Sequence, residues 1–143
     1  MPQIIMQAGS TSLILNGAAL DDLAEGDFIE LNFPNAVTSH INGSNNSVTI
    51  NRRNDASVMD LTVRFQKFSA SDAILNSAVN QATPVVFNGS IKEDFTRDGT
   101  RSVESYILEN GTITTRGSNV KNNTDGNGMI EYVIRFRNAS RNI

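Results

Sequence analysis

Alternation of apolar and polar residues predicts β-strands along most of the chain. Segment 58–65 has Met, Leu, Val and Phe at every second position, with Asp, Thr and Arg between them, and segment 129–137 alternates in the same way. Because successive side chains of a strand point to opposite faces, each segment has one face for a core and one for solvent or a partner. Further strand candidates are 11–15, 27–33, 85–91, 102–109 and 112–116.

One helix interrupts this pattern. Ser69 and Asp72 have the spacing of a capping box, and Pro84 lies beyond the expected helix end. Between them, four apolar residues recur at helical spacing and form one stripe: Ile74, Leu75, Ala78 and Val79. The sequence therefore predicts a helix over about 70–80 that packs on the sheet.

The composition supports an antiparallel β fold. Asn, Ser and Thr make up 43 of the 143 residues, and these types favour turns, caps and strand surfaces over helix interiors. Seven of the ten glycines directly follow Asn or Asp, a pair that supplies the positive φ angles of tight hairpin turns. We predict a mainly β fold in a single domain, 1–143: an antiparallel β-sandwich or small barrel with one flanking helix.

A long polar segment, about 35–55, separates two strong strand patterns. Its centre reads Asn42-Gly-Ser-Asn-Asn-Ser47, and a short Val48-Thr-Ile50 strand candidate follows. A connection of about 20 residues inside a compact domain is usually functional or disordered. We predict a long two-stranded β-arm that is too polar to bury against its own domain, with a mobile surface loop as the alternative.

The distribution of charge suggests how copies could meet, and the residue types present exclude several kinds of site. Residues 1–50 carry five acidic and no basic side chains, whereas 101–143 carry six basic and four acidic ones. Two copies could meet head to tail through such complementary ends, and the alternative is that both sets of charges lie on solvated faces. The absence of cysteine excludes disulfides, thiolate metal sites and cysteine nucleophiles. The apolar runs are far shorter than the roughly 20 residues of a transmembrane helix, so we expect no membrane anchor.

Candidate catalytic chemistry is sparse. The single histidine, His40, lies in the polar arm, and the adjacent carboxylates at 21–22 and 93–94 would point to opposite faces of a strand. Segment 123–128 resembles the start of a calcium loop, but Ile134 stands at the twelfth position, where a glutamate is required. We expect no enzymatic activity, no cofactor and no metal site.

The order of features along 11–80 carries a resemblance to a known family. It consists of a first strand ending in Asn16-Gly17, then Leu23-Ala-Glu-Gly-Asp-Phe-Ile-Glu30, the polar arm, Asn51-Arg-Arg-Asn-Asp55, an alternating strand and Phe68-Ser-Ala-Ser-Asp-Ala-Ile-Leu75. This order resembles the tail tube proteins of contractile-tailed bacteriophages. The C-terminal half matches them mainly as further strands.

The resemblance implies a structural protein that assembles with copies of itself. Six-membered rings would stack head to tail into the hollow inner tube of the phage tail, and strands of each subunit would join into an inner β-barrel that conducts DNA at ejection. The expected partners are other copies of the chain and the tail sheath, baseplate and tail-terminator proteins, with DNA only in transit. The protein would be made in the host cytoplasm and located in the virion.

Two sets of residues are candidates for this assembly, and the terminal segments 2–6 and 137–143 could also dock on neighbours. The first set lies on the arm and would contact an adjacent subunit or ring: His40, Ile41, Val48, Ile50, Arg52 and Arg53. The second set occupies the polar positions of two strands and would face the lumen: Asp60, Thr62, Arg64, Glu131, Arg135 and Arg137.

Two alternative functions fit parts of the pattern. The first is the inner tube of a related contractile injection or secretion machine, which has the same architecture and a different cargo. The second is a β-sandwich carbohydrate-binding or adhesin module, which would need an exposed aromatic platform. With two tyrosines and seven phenylalanines, most of them at apolar positions, such a platform is hard to find in the sequence.

Overall fold

The computed structural model describes residues 2–26 and 28–143, which form nine strands and one helix. The strands are β1 (Ile4–Leu15), β2 (Ala18–Ala19), β3 (Ile29–Asn32), β4 (Thr38–Asn42), β5 (Val48–Arg52), β6 (Met59–Gln66), β7 (Phe87–Arg97), β8 (Thr100–Lys121) and β9 (Gly128–Asn142). The helix, α1 (Ala70–Val79), lies between β6 and β7. Asp27, the first residue of the strand predicted over 27–33, lies outside the described residues.

Seven of these strands form one antiparallel sheet in the order β2-β1-β7-β8-β9-β6-β3. The sheet is not closed into a barrel, and β4 and β5 pair only with each other in a second sheet. Strands account for 60% of the chain and helix for 7%, so the predicted mainly β fold with one helix is confirmed.

One buried cluster joins strands from both ends of the large sheet. It contains Leu13 and Leu15 from β1, the four inward residues of β6 at 0% exposure, and Leu75 from α1. Since β1 and β6 stand four places apart in the strand order, the sheet must curve around this core, as in a β-sandwich. The inward positions of β6 and β9 are the ones that alternation predicts.

The helix begins where the sequence predicts. The Ser69 side chain caps it by accepting a hydrogen bond from the Asp72 backbone N–H. Leu75 is fully buried, but Ile74 is 43% exposed, so its predicted place in the core stripe is wrong. The buried face runs through positions 71, 72 and 75, and Ile74 is turned about 100° away from Leu75.

A buried polar contact ties α1 to β9. Tyr132 is 1% exposed, and its hydroxyl donates a hydrogen bond to Asp72 Oδ1 at 2.8 Å. The second oxygen of Asp72 accepts from the Phe68 backbone N–H at 3.0 Å. Burial, with a further contribution from the Asp72 carboxylate, raises the pKa of the Tyr132 hydroxyl far above its usual value, so the hydroxyl stays protonated as a donor.

Two Asn-Gly pairs lie inside strands and form no hairpin turn. The first lies within the strand predicted over 85–91, whereas the second separates the strands predicted over 102–109 and 112–116. Asn88-Gly89 belongs to β7, and Asn110-Gly111 belongs to β8, which runs unbroken through the two strands predicted over 102–109 and 112–116. A side chain at Gly89 would overlap the Ile14 carbonyl oxygen, and one at Gly111 would overlap the Phe136 ring. These glycines therefore allow close packing within the sheet.

Two other pairs form the turns that were predicted. Asn16-Gly17 connects β1 to β2, and Asp98-Gly99 connects β7 to β8. Both residues of each pair have positive φ, between 51° and 80°. This geometry is that of a two-residue hairpin turn whose twist matches the flanking strands.

Candidate functional site

The structure contains no group of side chains arranged for metal binding among the residues it describes. No cluster of three or more His, Asp or Glu side chains in 2–26 and 28–143 is placed to hold an ion. His40 is exposed on β4. The helix α1 is also too short to cross a bilayer, and within the described ranges no other helix is present.

A charged surface, which we call the polar face, covers the outer side of β6 and β9. The register places Asp60 opposite Arg135, Thr62 opposite Val133 and Arg64 opposite Glu131. Arg137 follows Arg135 by two positions and therefore points to the same side of β9. All six residues predicted to face a lumen thus share one face of the sheet: Asp60, Thr62, Arg64, Glu131, Arg135 and Arg137.

Ion pairs across the strands neutralise much of this face. Arg135 holds Asp60 through Nε and Nη2 at 2.7 and 3.0 Å, and Arg64 Nε lies 2.8 Å from Glu131 Oε2. Arg64 Nη2 also lies 3.9 Å from Glu30 on β3. The hydrogen bond from Arg135 holds the pKa of the Asp60 carboxyl below its usual value, because it stabilises the charged form.

The charge on the polar face is therefore balanced. Its three arginines stand among three carboxylates, those of Glu30, Asp60 and Glu131. A polyanion binds a protein mainly through unpaired basic side chains, each of which adds affinity by releasing counterions. A neutralised polar surface offers few such contacts.

The predicted arm is a hairpin formed by β4 and β5. Its register pairs His40 with Ile50 and Ile41 with Thr49, and a five-residue loop, 43–47, closes the tip. Each of the ten strand residues is exposed, and the aliphatic side chains Ile41, Val48 and Ile50 are 61%, 54% and 65% exposed. The arm leaves most of its apolar surface in water.

The two sides of the arm differ. Residues directly opposite each other in a hairpin point to the same side, so the register places Val48, Ile50 and Arg52 on one side, with His40. Ile41 and Thr49 lie on the other side. The residues predicted to contact a neighbour are thus divided between two surfaces.

The base of the arm is fixed by polar contacts. Asn35 Nδ2 donates to the Asp55 carbonyl at 3.1 Å, and the Arg53 guanidinium binds the Asp55 carboxylate through two hydrogen bonds of 3.0 and 2.9 Å. Arg53 is therefore occupied within its own chain. Arg52 has no ion pair or hydrogen bond from its side chain to the rest of 2–26 and 28–143, and its guanidinium is available to a partner.

A second apolar surface, which we call the terminal groove, lies where the sheet extends past the core. It has a volume of about 170 Å³ and is lined mainly by the following residues: Ile4, Met6, Glu93, Phe95, Arg97 and Ile143. Sequence reasoning singled out the terminal segments 2–6 and 137–143, but it missed Glu93 and Phe95. The register that brings Met6 opposite Phe95 joins residues far apart in the chain.

Comparison with models of known protein families finds no match to the chain, and comparison with curated protein sequences finds no significant match either.

Proposed function

We propose that this protein is a structural subunit that self-assembles into stacked, hexameric rings, forming the hollow inner tube of a contractile phage tail through which DNA is ejected. The tail sheath, baseplate and terminator proteins would be its further partners in the virion. The observation that carries the proposal is the arm, a hairpin whose strand residues are all exposed in the single chain.

The arm supports assembly because an isolated hairpin with exposed aliphatic side chains is unfavourable in water. A two-stranded hairpin is at best marginally stable in water, and β4 and β5 form no ladder with the large sheet. Ile41, Val48 and Ile50 are more than half exposed. Contact with a neighbouring copy would bury these side chains and order the arm.

The open edges of the large sheet support a ring. The outer edge of β1 is covered by β2 only at Ile14 and Leu15, and β3 ends the sheet on the other side. Exposed edges present unpaired backbone N–H and C=O groups that pair readily with another chain. A closed ring of subunits joined edge to edge would satisfy these groups.

The polar face supports a lumen. In a tube, one side of each strand would face the subunit core and the other the channel, which is the division found in β6. The balanced charges of this face suit a channel through which DNA must slide without adhering.

Electron microscopy and light scattering of the purified protein over a range of concentrations test the proposal directly. We expect rings or hollow tubes above a threshold concentration. A chain that stays monomeric at every concentration would count against self-assembly and favour a binding module.

A variant that lacks the arm tests the observation that carries the proposal. Replacing 39–51 by Asn-Gly joins Thr38 to Arg52, which are already paired, through a two-residue turn. We expect a folded monomer, with the circular dichroism spectrum and urea midpoint of the original core, that forms no tubes. Tubes formed by this variant would remove the arm from the mechanism.

A further inference from the structure

The terminal groove is apolar and uncovered in the single chain. Ile4, Met6 and Ile143 are 64%, 72% and 72% exposed, and Phe95 lies between them, opposite Met6. Apolar side chains grouped in this way, with charged residues around them, are typical of a protein–protein contact.

One end of the groove has an excess of negative charge. Glu93 on β7 stands directly opposite Glu104 on β8, an arrangement that is unfavourable for like charges. The Arg141 guanidinium binds Glu104, with Nε 2.7 Å from Oε2. Glu93 receives no hydrogen bond or ion pair on its side chain from the residues the structure describes. Of the two carboxylates, only Glu104 is therefore paired with a cation.

Neither basic residue on the same strand supplies that second cation. Lys92 is next to Glu93 in the sequence and therefore points to the opposite face of β7. Arg97 lies four residues beyond Glu93 on β7, or roughly 13 Å at the rise of an extended strand. The Phe95 side chain stands between them on the same face. A cation that pairs with Glu93 would therefore come from another element.

The arm presents the complementary sequence of side chains. On one side of β5, Arg52, Ile50 and Val48 follow at alternate positions. The groove offers, at the same strand spacing, Glu93, then Met6 with Phe95, then Ile4 with Arg97. A basic residue followed by two aliphatic ones thus matches an acidic residue followed by two positions at which β1 presents an apolar side chain, Met6 and then Ile4.

We propose that the terminal groove binds the arm of a second copy of this chain. Arg52 of one copy pairs with Glu93 of the next, Ile50 covers Met6 and Phe95, and Val48 covers Ile4. The arm of the same chain does not fill the groove, since both surfaces are exposed in the monomer. This inference rests on the proposed function and specifies the surface that receives the arm.

Charge reversal tests the pairing in the full-length chain. Arg52→Glu and Glu93→Arg each place like charges at the contact, and each is expected to raise the concentration needed for assembly by at least about ten-fold. The double variant restores the opposite charges and is expected to assemble within about three-fold of the original protein. Light scattering measures the threshold, and circular dichroism establishes that each variant is folded.

The outcomes separate this inference from the function on which it rests. If the original protein assembles and Glu93→Arg does so equally well, or if the double variant fails to recover, the groove is not the site that receives the arm. The proposed tube then stands without it. If the original protein never associates, both proposals fail.

Cysteine cross-linking provides a second test, because the native chain has no cysteine. Val48→Cys combined with Ile4→Cys keeps the Arg52–Glu93 pair and places the two thiols at one contact. Under mild oxidation we expect covalent multimers on a non-reducing gel. The matched control, Thr49→Cys with Ile4→Cys, uses the opposite side of the arm and should give few. Equal cross-linking by the two variants would overturn the proposed orientation.

Discussion

The β6–β9 pair and the β4–β5 pair are both antiparallel ladders, but they use their side chains in opposite ways. In β6, every second residue from Met59 to Phe65 is at 0% exposure, and the alternate residues face outward with cross-strand ion pairs. In the arm, each strand residue on both sides is exposed. Backbone pairing is common to both, so burial is what distinguishes them.

The comparison shows that one chain contains two kinds of strand pair that differ in how much apolar surface they bury. The central pair buries apolar area, which is the dominant favourable contribution to folding. The arm buries little in the monomer, so its aliphatic side chains remain available for binding. Substitutions in the central pair should therefore change stability, and substitutions in the arm should change association.

The largest loss of stability is expected from truncating the central pair. Phe65→Ala should lower the free energy of unfolding by about 3–5 kcal/mol, because the residue is fully buried and its removal leaves a cavity. Ile50→Ala in the arm should change it by less than about 0.5 kcal/mol. Urea denaturation of the dilute monomer measures both. Similar losses for the two variants would contradict the division between core and arm.

A smaller loss is expected where the central pair meets the helix. Tyr132→Phe removes the hydroxyl that donates to Asp72 and should cost about 1–3 kcal/mol, because a buried carboxylate oxygen loses its partner. Tyr106→Phe is the matched control, since that tyrosine is only half-buried and its hydroxyl has no hydrogen bond to the described residues. Thermal unfolding of both variants should show the larger shift for Tyr132→Phe.

The smallest of the three effects is expected on the polar side of the same strands, and it depends on pH. Arg135 lowers the pKa of Asp60 in the folded chain and thereby contributes to stability while Asp60 is charged. As the pH falls towards and below 4, the unfolded chain binds more protons than the folded chain does. This contribution is complete above the unfolded pKa and is lost as the pH falls through the folded pKa. Asp60→Asn should therefore lose less stability than the original protein between pH 6 and pH 3 in urea titrations, and an equal loss would show that the pair contributes nothing.

Patterns among neighbouring residues are sufficient to predict two kinds of element: those stabilised by contacts close in sequence, and those with one apolar and one polar face. The alternation at 58–65, the capping residues Ser69 and Asp72, and the polar hairpin of the arm were all read from neighbouring residues. The turn predicted at Asn110-Gly111 is wrong, and Asn88-Gly89, within the strand predicted over 85–91, forms no hairpin turn either. Their role depends on Ile14 and Phe136, which approach them through the sheet and not along the chain.

The candidate surfaces, too, depend on contacts across the sheet that local sequence patterns do not reveal. Alternation places Asp60 and Arg135 on outward faces, but only the register of β6 with β9 shows that they pair. The terminal groove depends on pairing Ile4 with Arg97, more than 90 residues away. A sequence records which side chains share a face of one strand, whereas the neighbour across the ladder is a property of the folded sheet.

The two glycines inside the strands have a consequence for how the gene can vary. Gly89 and Gly111 lie where even a methyl group would overlap the Ile14 carbonyl oxygen or the Phe136 ring. In a library of all single substitutions, we expect both codons to accept glycine alone, while the codons 44–47 of the arm tip accept many residues in any screen for folded monomer. Divergent copies of this gene would therefore keep glycine at positions 89 and 111, each inside a strand.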